Sequence, residues 1–266
     1  MVNMNHDILL GAVAGDTIGS RYEFAPIKRK DFTIDWHDCH FTDDSVMTIA
    51  TAEWLLTSND LVTTMLRWGH KYPHIGYGGM FRRWLYQDNP QPYGSWGNGS
   101  AMRVSPVGWA FDSLEETLHY AKISAVVSHN HHHAIAGAQA TAASIFMART
   151  GRSKEEIRQY VENTFGYDLH RTCDDIRPSY HFDSSCQGSV PESIIAFLDS
   201  TDYENAIRLA ISLGGDADTM AAIAGSIAEA YYGQIPQAII DGTKAQLPTE
   251  GQAVLELFYQ RFMADL

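Results

Sequence analysis

The sequence predicts an all-α fold: a compact, multi-helix orthogonal bundle forming a single domain over residues 1–266. Three observations predict it. Several long segments place apolar residues at helical spacing. Strand signals are confined to a short stretch, Phe32 to Trp36. No repeat, low-complexity tract or linker interrupts the chain. Hydrophobic residues at 45% and charged residues at 19% supply ample core and exclude a disordered chain.

In chain order, Asp7 to Thr17 sets Ala and Gly between apolar residues, which suits a helix packed closely against others. Gly15-Asp-Thr-Ile-Gly-Ser-Arg-Tyr-Glu23 then puts the polar Asp16, Thr17 and Glu23 directly after that buried helix. Residues 25–41 read as a loop, with Lys28-Arg-Lys30 as a solvated face. In Phe41 to Leu56, Thr42, Asp43 and Asp44 precede apolar residues at Val46, Met47, Ile49, Ala50, Trp54 and Leu55, so they open a second helix. The glycine- and aromatic-rich stretches Tyr72–Gly79 and Tyr93–Arg103 flank a helical Met80–Leu85. Further helices are expected at Leu114–Val127, Ala134–Arg149, 151–166, Val190–Leu198, Ala206–Leu213 and Thr249–Met263. The polar loop Asp168–Gly188 is long for a compact domain, and loops of this length are often binding segments or lids.

The remaining helix carries the chemistry. Ser212-Leu-Gly-Gly-Asp-Ala-Asp-Thr219 runs into the small-residue segment Met220–Tyr232. It places Asp216, Asp218 and Thr219 at a helix start, where the dipole favours negative charge. Asp-x-Asp-Thr offers only hard oxygen donors, which suit Mg2+, Mn2+ or Ca2+ rather than zinc. Taken alone it reads equally as an ornate N-cap. The second cluster, Thr42-Asp43-Asp44, changes the balance. Two such helix starts suggest one site assembled across a bundle, where facing helices build metal centres. Four aspartates brought together repel and raise one another's pKa unless cations neutralise them, and two divalent ions meet that need.

Other candidates are weaker. Gly97-Asn98-Gly99-Ser100 could present backbone amides to a phosphate or sugar hydroxyl, with ordinary turn chemistry as the plainer alternative. Ser128-His-Asn-His-His-His133 lacks the cysteines or carboxylate spacing that accompany zinc. His129, at the end of the preceding helix, is the histidine placed to face a cleft.

The order of Gly-Asp-Thr-Ile-Gly-Ser-x-x-Glu, Thr42-Asp43-Asp44-Ser45, Gly97-Asn-Gly-Ser-Ala-Met-Arg103, Ser128-His129 and Gly214-Gly-Asp-Ala-Asp-Thr219 resembles the ADP-ribosylglycohydrolase family, from about Ile8 to Ile235. The resemblance implies an all-α fold with a dinuclear Mg2+ or Mn2+ centre held by Thr42, Asp43, Asp44, Asp216, Asp218 and Thr219. It implies a hydrolase cleaving the glycosidic bond between ADP-ribose and a protein or small-molecule acceptor, with Asp44 and Glu23 as candidate catalytic carboxylates. Gly97, Asn98, Gly99 and Ser100 match a substrate-contacting loop, His129 joins them as a candidate substrate contact, and Ser185–Val190 resembles a segment bordering the ADP-ribose cleft. One departure bears on mechanism: many bacterial relatives carry an aspartate before a glycine where this chain reads His74-Ile75-Gly76, which leaves the general base open. The alternatives are an ADP-ribose-binding relative without catalysis, a bimetal hydrolase acting on another ribosyl or phosphoester substrate, and a calcium-stabilised helical protein.

A net charge of -13 argues against a nonspecific grip on nucleic acid. Three scattered cysteines form no disulfide framework. Met1–Asp7 has no basic leader segment, and no apolar run approaches the length of a membrane span. A cytoplasmic protein is expected; the oligomeric state is left open.

Overall fold

The computed structural model describes residues 9–262, which form fifteen α-helical segments. They are α1 (Leu10–Gly19), α2 (Asp43–Thr57), α3 (Leu61–Lys71), α4 (Gly79–Leu85), α5 (Gly99–Met102), α6 (Ser105–Ala110), α7 (Leu114–Val126) and α8 (His132–Arg149). Then follow α9 (Lys154–Phe165), α10 (Cys173–Ile176), α11 (Cys186–Asp199), α12 (Tyr203–Ser212), α13 (Ala217–Tyr232), α14 (Gln237–Gln246) and α15 (Thr249–Phe262). Among the described residues there is no strand, only an isolated antiparallel bridge between Gly97 and Ser185. None of their helices is long and apolar enough to cross a membrane.

The bundle is built around α13. Every residue from Ala217 to Ala230 is buried, because α1, α8, α11 and α12 all pack on it. Such wrapping requires small side chains, and α13 is rich in alanine. The closest partner is α1, which lays Gly11, Gly15 and Gly19 along α13 at four-residue spacing, one helical face. A Cβ on Gly15 would collide with the backbone carbonyl of Ala221, and one on Gly19 would lie 2.6 Å from the Asp218 Cα. The two helices therefore meet backbone to backbone. A smaller apolar cluster, including Val107, Ala121, Ala125 and Ala138, fills the space between α6, α7 and α8.

Three expectations need correction. Phe32–Trp36 forms no strand. Arg208 instead takes carbonyls at its start, donating from Nη1 to Phe32 O at 2.6 Å and to Lys30 O just before it at 3.0 Å, and stacks its guanidinium over the Phe32 ring at 4.7 Å. Asp16 and Thr17 do not follow the first helix but lie inside it. The Thr17 hydroxyl bonds the Val13 carbonyl at 2.8 Å, and Asp16 finds its partners in α2, so neither interrupts α1. The expected start of that helix, Asp7 and Ile8, and the expected end of α15 at Met263 lie outside the described residues. The polar loop is also shorter than expected, since α10 forms within it and α11 begins at Cys186. Residues 61–71, given no element from sequence, form α3, with Asp60 as N-cap accepting from Thr63 N at 2.8 Å.

Candidate active site

The site begins with how α2 is started. Thr42 is the N-cap, its hydroxyl accepting from Asp44 N at 3.2 Å. Asp16, fully buried on α1, supplies a second cap from outside the helix. Its carboxylate accepts from Thr42 N at 2.9 Å, Thr42 Oγ1 at 2.6 Å, Ser45 N at 3.1 Å and the Ser45 hydroxyl. With the cap positions taken by Asp16 and Thr42, the carboxylates of Asp43 and Asp44 are left for other partners. Asp43 N donates to Ile75 O at 3.1 Å. Gly76 adopts φ +113 there, and a Cβ on it would lie 3.0 Å from Asp43 Oδ1; a bulkier residue would be strained twice over.

α13 starts differently. Gly214, at φ +68, turns the chain out of α12. Asp216 stands at the N-cap but makes no capping bond of its own. Asn98 holds it instead, donating from Nδ2 to Asp216 Oδ2 at 2.7 Å and to Ser189 Oγ at 3.2 Å. Asp218 lies in the first turn.

The fold brings the two helix starts to one place. Asp43, Asp44, Asp216, Asp218, Thr219 and Glu23 all line a cavity of about 560 Å3. Carboxylate oxygens of Glu23, Asp216 and Asp218 lie within 4.8 Å of one another. Burial, then the charges of Asp218 and Asp16, raise both Asp43 and Asp44 well above the ordinary range. Burial and the Asp216 charge do the same to Asp218. Burial pushes Asp216 up to about 6, although the hydrogen bonds from Asp218 and Asn98 oppose it. Glu23, half-buried after a 3-10 turn at Ser20–Tyr22, is pushed up to about 8 by burial and by Asp218 and Asp16. No lysine or arginine among the described residues forms an ion pair with any of these groups.

Buried polar atoms are ordinarily satisfied. Here Asp44 Oδ2 and Asp218 Oδ1 are buried without a hydrogen-bond partner among the described residues. An all-oxygen donor set with orphaned carboxylate oxygens and no ion-paired cationic side chain fits hard divalent ions. The fit is to the acidic residues chiefly. Thr219 lines the cavity, whereas the Thr42 hydroxyl proton goes to Asp16.

Another wall of the cavity is the glycine-rich segment 93–99. It is pinned on one side by Tyr93 N to Ser128 O (3.2 Å) and Gly94 N to Asn130 Oδ1 (2.7 Å). On the other side Asn98 N donates to Ser184 O at 2.8 Å and Cys186 N to Trp96 O at 2.9 Å. Gly97, Asn98, Gly99 and His129 line the cavity. Ser100 lies behind them, fully buried, with its hydroxyl donated to Ala134 O at 2.9 Å. His131, His132 and His133 cluster outside this wall, with ligand nitrogens within 4.8 Å of one another.

The chain matches the ADP-ribosylglycohydrolase family model over residues 6–264. It belongs to the ADP-ribosylglycohydrolase family. It is similar to ADP-ribosylhydrolase ARH3 of Homo sapiens, 26% identical over 86% of this chain and 86% of that protein. It is also similar to ADP-ribosylarginine hydrolase Tri1 of Pseudomonas putida, 27% identical over 85% of this chain and 69% of that protein. A solved structure of an ADP-ribosylglycohydrolase-related protein complex superposes with a TM-score of 0.74 at 25% identity, covering 97% of both chains.

Within this family fold, several lining residues were not singled out from sequence. Tyr93 and Arg103 come from the aromatic- and glycine-rich stretches, Phe81 and Arg83 from α4 between them, and Phe24 and Phe182 stand exposed where their loops reach the cavity. The clustering of aromatics with glycine in 72–103 was a usable signal for the first group. Nothing local marks Phe24 or Phe182.

Proposed function

We propose that this chain is a metal-dependent hydrolase that releases ADP-ribose from an N- or O-linked acceptor. One observation carries the reading: acidic helix starts from opposite ends of the chain wall a single cavity and leave Asp44 Oδ2 and Asp218 Oδ1 buried without partners. Asp43, Asp44, Asp216 and Asp218, with Thr42 and Thr219, would hold two Mg2+ or Mn2+ ions. Such ions, when bound, orient hydroxyls and lower the pKa of a water.

The chain's own residues do the rest. The bond from ribose C1 to the acceptor breaks through an oxocarbenium-like state, a water oxygen bonds to C1, and the acceptor leaves with a proton. Asp44 or Glu23, both of which line the cavity, would take the water proton. Gly97 and Gly99 would let the nucleotide approach the backbone closely, while Asn98 holds Asp216 in place. The substrate is an ADP-ribosylated protein or small molecule, the chain acts as one domain, and its compartment is the cytoplasm.

The test is release of ADP-ribose from ADP-ribosylated arginine, serine and nucleotide substrates with Mg2+ or Mn2+, then with chelator. We expect turnover on at least one substrate, abolished by chelator and by Asp218→Asn while far-UV circular dichroism is unchanged. Full activity of Asp218→Asn would remove that ligand assignment. No turnover on any substrate, with tight binding of ADP-ribose, would replace the enzyme reading by a binding one.

A further inference from the structure

Arg103 is a buried cation without an anion. It follows α5, is fully buried, and forms no ion pair among the described residues. Its Nη2 donates instead to Ser124 O and to Ser128 Oγ, both at 2.9 Å. Ser128 Oγ in turn lies 2.8 Å from His129 Nδ1.

The direction of that last bond follows from the first. A guanidinium only donates, so Ser128 Oγ must accept from Arg103. Ser128 is fully buried, and among the described residues its oxygen has no other hydrogen-bond partner than Arg103 and His129. Its proton therefore has one acceptor, His129 Nδ1, and the opposite arrangement would leave a buried hydroxyl proton unmade. An imidazole that accepts at Nδ1 and is neutral carries its proton on Nε2. Burial and the nearby Arg103 charge both hold His129 well below its ordinary pKa, which keeps it neutral.

His129 lines the cavity, and its Nε2 lies beside the glycine wall: a Cβ on Gly99 would lie 2.9 Å from it and one on Gly97 3.7 Å, so a side chain at Gly99 would crowd that nitrogen. We propose that Arg103, acting through Ser128, is a positioning residue that locks His129 as a neutral Nε2–H donor facing the cavity, ready for an acceptor oxygen of the bound nucleotide. Only the identity of that ligand rests on the ADP-ribose reading; the relay itself does not.

Long-range 1H–15N correlation of the histidine side chains in the Mg2+-loaded full chain tests it directly. His129→Asn assigns the His129 signal among the 12 histidines. We expect wild type to show Nδ1 unprotonated and Nε2 protonated without ligand. Ser128→Ala and Arg103→Met should each move the ring toward mixed tautomers. Ser128→Ala should weaken ADP-ribose binding roughly tenfold, the scale of one hydrogen bond, and Ser128→Thr, which keeps the hydroxyl, should restore both readouts. A protonated Nδ1 in wild type overturns the proposal even if no variant folds. So does an unchanged tautomer in the two folded variants. The expected wild-type tautomer with no ADP-ribose binding would instead uphold the relay and defeat the ligand reading.

Discussion

Asp16→Ala tests how the acidic cluster is held in place. The substitution removes the acceptor of four donors at the start of α2. The two hydroxyls can find replacements. The Ser45 and Thr42 hydroxyls, which stand at the very start of α2, can rotate toward other acceptors or water. The backbone N–H groups of Thr42 and Ser45 cannot. Both residues are buried, and each orphaned N–H costs ~1–3 kcal/mol. Against this stands the relief of no longer burying the Asp16 carboxyl, whose burial pushes its pKa up despite all four bonds. A net loss of about 3 kcal/mol follows, which for a chain of this size lowers Tm by roughly 6–12 °C. Asp16→Asn, retaining one oxygen for three of the donors, should lose less. The assay is thermal unfolding in chelator and in Mg2+, with hydrolysis measured beside it. Because α2 carries Asp43 and Asp44, the stabilisation by Mg2+ should shrink in Asp16→Ala. If the variant melts with wild type and keeps its full response to metal, the external cap is not what places those carboxylates.

Two further outcomes follow from the same geometry. In chelator, stability should fall as pH rises from about 4.5 to about 8. The folded-state pKa values of Glu23 (from 4.5 to about 8) and Asp216 (from 3.8 to about 6) are raised. Their contribution is therefore complete below the unfolded values and lost as pH passes through the folded ones. Saturating Mg2+ or Mn2+ should flatten that slope, and a Tm that climbs over this window in chelator would contradict the buried cluster. Gly15→Ala should cost ~1–3 kcal/mol by overpacking, since its Cβ meets the Ala221 backbone rather than a yielding side chain. It should also reduce activity, because pushing α1 off α13 separates Asp16 and Glu23 from Asp218; a neutral Tm would show that the two helices are not in backbone contact.

The parts of the site legible in sequence were those written as local patterns. Thr42-Asp43-Asp44 and Asp216-x-Asp218-Thr219 stand at helix starts because capping chemistry and small-residue helices leave a local signature. The glycines of α1 announced close packing before their partner was known. Asp16 was legible only as a polar residue out of place, because its four partners come from residues 42 and 45. Arg103 was read only as the last letter of a motif, since nothing in sequence says that an arginine will be buried without a carboxylate. The Phe32–Trp36 stretch misled for a related reason: alternating apolar residues need a partner for their carbonyls, and here a side chain from α12 fills that role.

The charge around the cavity bears on how many ions the proposed centre takes. Asp16, Glu23, Asp43, Asp44, Asp216 and Asp218 stand together; the raised pKa values of the last five record mutual repulsion as well as burial, and that of Asp16 records burial. The N-termini of α2 and α13 face the cluster, but each offers only about half a unit of positive charge, and among the described residues no basic side chain is ion-paired with it. Protons can make up part of the difference in a metal-free chain, at the expense of the carboxylates as ligands. With the helix ends counted, a single divalent ion would still leave about half of the formal charge of six carboxylates unmatched, whereas two come close to balancing it. Asp44 Oδ2 and Asp218 Oδ1, the two orphaned oxygens, sit on different helices, which favours a pair of ions between α2 and α13 over one ion held by either.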